Sequence, residues 1–150
     1  MDKMLRVAIL LIGLAGACCA CSCIYLSQPE ARERAYIVFD GVATDVHYFK
    51  NEEDGRTLVT FDVSRAWKGP IGPKVKVHAD EHALMCDSYV FKVGHPYIVY
   101  AIQQDSEGGW ADQYPTGTKI LGVGGCILRI REDVEIEASK LGKSRKPVSN

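Results

Sequence analysis

The sequence lacks most of the signatures that announce chemistry. It has no second Cys-x-x-Cys or His pair at metal-ligand spacing, no Gly-rich phosphate loop between a strand and a helix, and no Ser, His and Asp set that rises above chance. An enzyme therefore has little support, and no cofactor is implied. Charge of one sign is lacking too: the formal net charge is -1 with 25% charged residues, which is ordinary globular composition with no field strong enough to call for nucleic acid. Neither an internal repeat nor a low-complexity segment is found. No apolar run comfortably reaches the roughly 20 residues of a membrane-spanning helix.

What is present begins at the N-terminus. Lys3 and Arg6 precede an uncharged run from Val7 to Ala17, and small residues follow at Ala15, Ala17 and Ala20, the order of a secretory signal. The expectation is export, to the outside or to the cell envelope, with residues 1–20 removed, a domain over 21–142 and a disordered tail over 143–150. Two cut sites are open, after Ala17 or after Ala20. Leu14-Ala15-Gly16-Ala17-Cys18 comes close to a bacterial lipobox, although Leu14 stands one position too far from Cys18; a lipid on Cys18 would hold the domain to a membrane. At 150 residues the chain has room for a single domain with its own core.

Six cysteines, Cys18, Cys19, Cys21, Cys23, Cys86 and Cys126, then sit in a compartment where disulfides form and persist. Disulfides explain them better than a metal knot, because the two distant cysteines stand alone.

Period-2 patterns dominate the chain after a first short helix over 28–34, which Ser27, Pro29 and Glu30 start as cap, first-turn proline and first-turn acid. A strand is expected over 35–48, bent at Gly41. Thr57–Trp67 alternates, with Val59, Phe61 and Val63 on one face. Lys74–Ala79 alternates again, with Val75, Val77 and Ala79 inward and Lys74, Lys76 and His78 outward. Tyr97–Ile102 is apolar on both faces, as a covered central strand would be. Asn51–Gly55 reads as a polar turn, Gln103–Gly117 as a polar loop, Thr118–Val123 as the last strand, and Ile127–Leu141 as one or two helical turns ending at Gly142. The fold class expected is mainly β: a five-stranded OB-like barrel with short terminal helices, stapled by disulfides, with a β-sandwich as the alternative.

Cys21-Ser22-Cys23 just after a signal resembles the Cys-x-Cys start of tissue inhibitors of metalloproteinases and other netrin-like domains. Val38-Phe39-Asp40-Gly41-Val42, Ala66-Trp67-Lys68-Gly69 and Phe91-Lys92-Val93-Gly94-His95-Pro96-Tyr97-Ile98-Val99-Tyr100-Ala101 are similar to phrases of bacterial members. The likeness runs over residues 21–141. It implies two bridges, Cys21 with Cys86 and Cys23 with Cys126, closing loops of roughly 65 and 105 residues and contributing about 4 to 5 kcal/mol each before strain.

In that family the α-amino group and carbonyl oxygen of the first cysteine chelate the catalytic zinc of a protease, and the next side chain enters its specificity pocket. The resemblance thus implies a zinc metalloprotease as partner, with Cys21 as the zinc-binding residue through its backbone atoms. Ser22 would enter the pocket, Cys23 would anchor the segment, and Leu84 and Met85 would complete the contact ridge. An α-amino group with a pKa of about 7.7 has its lone pair free at modest cost near neutral pH. The cut after Ala20 leaves Cys21 first and permits chelation; the cut after Ala17, or a lipid on Cys18, blocks it. The other reading is a secreted or lipid-anchored module that binds some other protein without inhibiting it. A membrane partner is expected only with the lipid, and nucleic acid is not expected. His78-Ala79-Asp80-Glu81-His82 matches the H-x-x-E-H spacing of inverted zinc peptidases, but His78 ends an alternating strand, so these residues are expected to be solvated.

Overall fold

A computed structural model describes residues 26–50, 55–80, 89–107, 110–123 and 130–148. The first helix, α1 (Gln28–Arg34), starts where the capping residues place it: the Glu30 carboxylate accepts from the Ser27 backbone N–H at 2.9 Å and from its hydroxyl at 2.6 Å. Six strands follow, β1 (Ile37–Tyr48), β2 (Arg56–Lys68), β3 (Lys74–Asp80), β4 (Pro96–Asp105), β5 (Lys119–Gly122) and β6 (Ile130–Arg131), and then α2 (Val134–Leu141).

The strands are hydrogen-bonded in the order β1-β2-β3-β5-β4, and β4 also pairs with β1, so five strands close in a ring. All pairings are antiparallel except β3 with β5, which meet in parallel at His78 and Gly122. β6 adds to the edge of β4 beside Ile98 and Val99. The fold is thus mainly β, as expected.

Alternation decides which side chains fill the ring. Ile37 and Phe39 of β1, Val59 and Phe61 of β2, Val75 and Val77 of β3, and Tyr97, Val99 and Ala101 of β4 form one buried cluster. The opposite pleats, Val38, Ile98 and Tyr100, pack outside the ring against Ala31 and Ala35 at α1 and Ala138 and Leu141 of α2. β4 is therefore covered on both faces, which is why its sequence is apolar without alternation. Phe61 is the hub of the inner cluster, its ring edge-on to Phe39 and Phe91 at 5.4 Å and to Tyr97 at 6.3 Å.

Gly41 sits at a register shift between β1 and β2, where an added Cβ would lie 2.6 Å from the Asp62 carbonyl oxygen. The bulge and the absence of a side chain let the two backbones touch where the sheet bends. Gly69, with φ +77, turns the chain out of β2 beneath the Tyr36 carbonyl, which a Cβ would strike.

Three expectations need correction. β4 continues through Gln103–Asp105, assigned above to a loop, because pairing with β5 gives these polar residues a partner strand. The helix expected over 127–141 begins only at Val134, and Ile130 and Arg131 before it pair with β4 instead. The stretch 143–148 lies against the free edge of β2: Arg145 and Ala66 exchange backbone hydrogen bonds at 2.8 and 2.9 Å, and the Val148 N–H donates to the Ile71 carbonyl at 3.0 Å. An edge with unpaired N–H and C=O groups recruits a strand, and the tail supplies it.

Candidate functional site

Cys18, Cys21, Ser22, Cys23, Leu84, Met85, Cys86 and Cys126 all lie outside the described residues, as do Cys19, Glu81 and His82. What is described is the framework from which their segments depart. β3 and β5 run parallel, so Asp80 and Val123, the last described residues before 81–88 and 124–129, stand at the same end of that strand pair. The base of the first is closed by the Tyr89 N–H donating to the Asp80 carbonyl at 3.0 Å, and the start of the second is held by the Val123 N–H donating to the His78 carbonyl at 2.8 Å. Residues 124–129 then connect Gly122, opposite Ile102 on β4, to Ile130, opposite Val99. On the outer side of that same stretch of β4, Leu26 packs in the cluster with Ile98 and Tyr100.

Beyond Tyr89 the wall of this end is aromatic. Its ring lies 4.9 Å from Phe91 and 6.1 Å from Tyr97, and its hydroxyl donates to the Glu132 carboxylate at 2.6 Å. Burial, then the adjoining carboxylate, push the Tyr89 phenol above its ordinary pKa, so it stays a neutral donor. Val90 and Val93 beside it are exposed.

A second constellation was not foreseen. His78 points out of the ring, as the alternation requires, yet it is only 6% exposed; the expectation of a solvated residue is corrected. Phe49, from the end of β1, lies nearly parallel to its ring at 6.0 Å, and Trp110 and Tyr114, from the β4–β5 connection, meet it edge-on at 4.9 and 5.2 Å. Nδ1 is 3.0 Å from the Leu121 carbonyl oxygen and Nε2 is 2.7 Å from the Tyr114 hydroxyl. A carbonyl only accepts, so Nδ1 carries the proton and Nε2 accepts from Tyr114. The one ring nitrogen with a lone pair is thereby occupied, which leaves neither a base nor a metal ligand exposed.

Burial lowers the His78 pKa, opposed by the Leu121 hydrogen bond, and burial raises that of Tyr114. Around the rim, the Arg56 guanidinium sits over Trp110 at 5.8 Å and grips Asp112 through two hydrogen bonds of 2.6 and 3.2 Å. Lys50 adds an ion pair to Asp112 at 2.9 Å. These two cations hold the Asp112 carboxyl well below the usual carboxylate range. The arrangement is a clamp that pins Trp110–Tyr114 onto the outer face of β1–β3. Its signal in the sequence was three aromatics, Phe49, Trp110 and Tyr114, inside segments otherwise polar enough to read as turns and loops.

Among the described residues no cluster of three or more His, Cys, Asp or Glu could hold a metal ion, and no helix is long and apolar enough to cross a membrane. No family model matches the chain, and no curated protein matches it.

Proposed function

We propose that the chain is an exported netrin-like domain, its five-strand ring an OB-type barrel, that binds a protein through the end of the ring where the N-terminal segment joins 81–88 and 124–129. The protein bound is a zinc metalloprotease, and the α-amino nitrogen and carbonyl oxygen of Cys21 take the place of the water on its metal. Ser22 enters the specificity pocket, while Leu84 and Met85 extend the contact.

The observation that carries this reading is the connectivity at that end. The parallel β3–β5 pair puts Asp80 and Val123, the last described residues before the segments that contain the distant cysteines, Cys86 and Cys126, at one end. Leu26 packs with Ile98 and Tyr100 of β4, the strand with which β6, after 124–129, pairs. Cys23 stands three residues before Leu26, a reach of about 10 Å, which allows bridges Cys21–Cys86 and Cys23–Cys126 to hold the N-terminus on the barrel. The motifs that carry the netrin-like resemblance fall on β1, the end of β2, and β4 with the turn that leads into it, the strands that bend and close the ring. Chelation itself asks only for a free, deprotonated amine and an adjacent carbonyl held rigidly, and a disulfide on either side of Ser22 supplies the rigidity.

The test is a mass measurement of the purified protein's N-terminus and its non-reducing peptide map, followed by assay against a panel of secreted zinc proteases. The protein starting at Cys21 should inhibit, and a form extended by one alanine should lose nearly all inhibition while staying folded, because the extra atoms fill the space of the displaced water. Equal potency of the two forms refutes chelation by Cys21. No inhibition by a verified free-Cys21 form leaves a protein-binding module that is not an inhibitor.

A further inference from the structure

The near-zero net charge of the chain hides a separation of charge. The C-terminal ends of both helices and the last turn of β2 converge on one side of the molecule. The Arg32 guanidinium donates to the Leu141 carbonyl at 3.2 Å, Trp67 Nε1 donates to the Gly142 carbonyl at 3.0 Å, and Lys68 Nζ donates to the Arg32 and Glu33 carbonyls at 2.9 and 2.7 Å. Arg145, whose backbone bridges Ala66, reaches the Gly69 carbonyl with its side chain. This junction therefore gathers Arg32, Arg34 and Lys68 with Lys140, Lys143, Arg145 and Lys146, and Glu33 is the one carboxylate interspersed with them in these segments.

None of the seven lies within ion-pair distance of a carboxylate of the described residues, while Glu30, one turn before Arg34 on α1, is near enough to feel its charge. The described ion pairs engage Lys50, Arg56, Arg65, Lys74 and Lys119 instead. Cations favour helix C-termini, which accounts for Arg32, Arg34 and Lys140. It also accounts for Lys68, whose Nζ binds the Arg32 and Glu33 carbonyls at the end of α1, but not for the three on the tail, which the pairing with β2 lays beside them. Like charges brought together with fewer counter-ions than cations weaken the fold, so their placement calls for an anion from outside.

We infer that this face docks on a membrane surface rich in anionic lipid headgroups. Two features favour lipid over nucleic acid. Among the described residues Tyr36 is the only exposed aromatic at the junction, which is no stacking platform for bases. Ile136, 59% exposed, lies one helical turn from Lys140 on the same side of α2, which puts an apolar side chain beside a cation at the edge of this face. The N-terminal segment also reaches the fold on this side, since Leu26 is buried under the two helices. The inference uses described residues alone and stands whether or not Cys21 inhibits a protease.

The experiment is vesicle co-sedimentation of the exported protein carrying Cys18→Ser, so that no acyl chain contributes. Binding is expected to phosphatidylcholine vesicles containing phosphatidylglycerol and not to phosphatidylcholine alone, and it should be lost at about 0.5 M salt. Lys140→Gln, Lys143→Gln and Lys146→Gln together remove three cations that make no described contact; at roughly fivefold each, affinity should fall about 100-fold. Lys74→Gln with Lys119→Gln, outside the face, should change it less than twofold. Absence of binding to the anionic vesicles, salt-independent binding, or an unchanged affinity of the triple variant overturns the inference. So does tighter binding to a DNA duplex than to the vesicles at equal salt.

Discussion

Acidification should loosen the clamp over His78, and the size and sign of the effect follow from its surroundings. The imidazole is neutral in the fold, with Nδ1–H donating to Leu121 and Nε2 accepting from Tyr114. Burial holds its pKa below the ordinary value. A group with a lowered folded pKa that is neutral when deprotonated contributes stability above the unfolded value, about 6.5. That contribution is lost as pH falls from there toward the folded value, because the opened form takes up a proton that the closed form resists.

The slope that His78 by itself contributes cannot exceed about 1.4 kcal/mol per pH unit. For a domain of this size that is roughly 5 °C in melting temperature per unit. The charged and titratable groups facing the clamp are His47, whose ring lies 5.7 Å from that of Phe49, Lys50 beside Phe49, Arg56 on β2, Asp80 on β3 and Asp112 beside Trp110. Asp112, held ionised by Arg56 and Lys50, adds nothing to the slope in this window. Urea titrations at pH 7.5, 6.5 and 5.5, followed by tryptophan fluorescence, measure it, with His78→Gln as the comparison. Gln keeps a polar end near Tyr114 and cannot be protonated, so the variant should start less stable and show a flatter slope. Equal slopes for the two proteins, or stability that rises as pH falls from 6.5 to 5.5, would refute the reasoning.

At Gly41, replacement by Ala sets a methyl group against the Asp62 backbone at 2.6 Å, so the β1–β2 pair must shift; a loss of about 1 to 3 kcal/mol is expected by denaturant titration. In the outer layer, Tyr100→Phe removes the 2.7 Å hydrogen bond to Glu137, a carboxylate only 1% exposed. It should cost about 1 to 3 kcal/mol at neutral pH, and the loss should shrink when Glu137→Gln is made as well.

Much of the architecture could be read from residue order because local physics sets it. The start of α1 needs only Ser27, Pro29 and Glu30. The faces of β2 and β3 need only a period of two, and the two-sided burial of β4 needs only its unbroken apolar run. The bend at Gly41 was legible because glycine inside a strand has few other uses. What tertiary structure alone decided are the contacts between segments far apart in sequence. His78 looked like a strand-end residue facing water, and it is buried because Phe49 and Trp110, 29 residues before it and 32 after it, fold over it. Gln103–Asp105 became strand because β5 was there to pair with them, and residues 143–148 lie along β2 because it had an open edge. The positive face was invisible in a net charge of -1 for the same reason: a sum over residues carries no positions, and Arg32, Lys68 and Lys143 become neighbours only when two helix ends and a strand end meet.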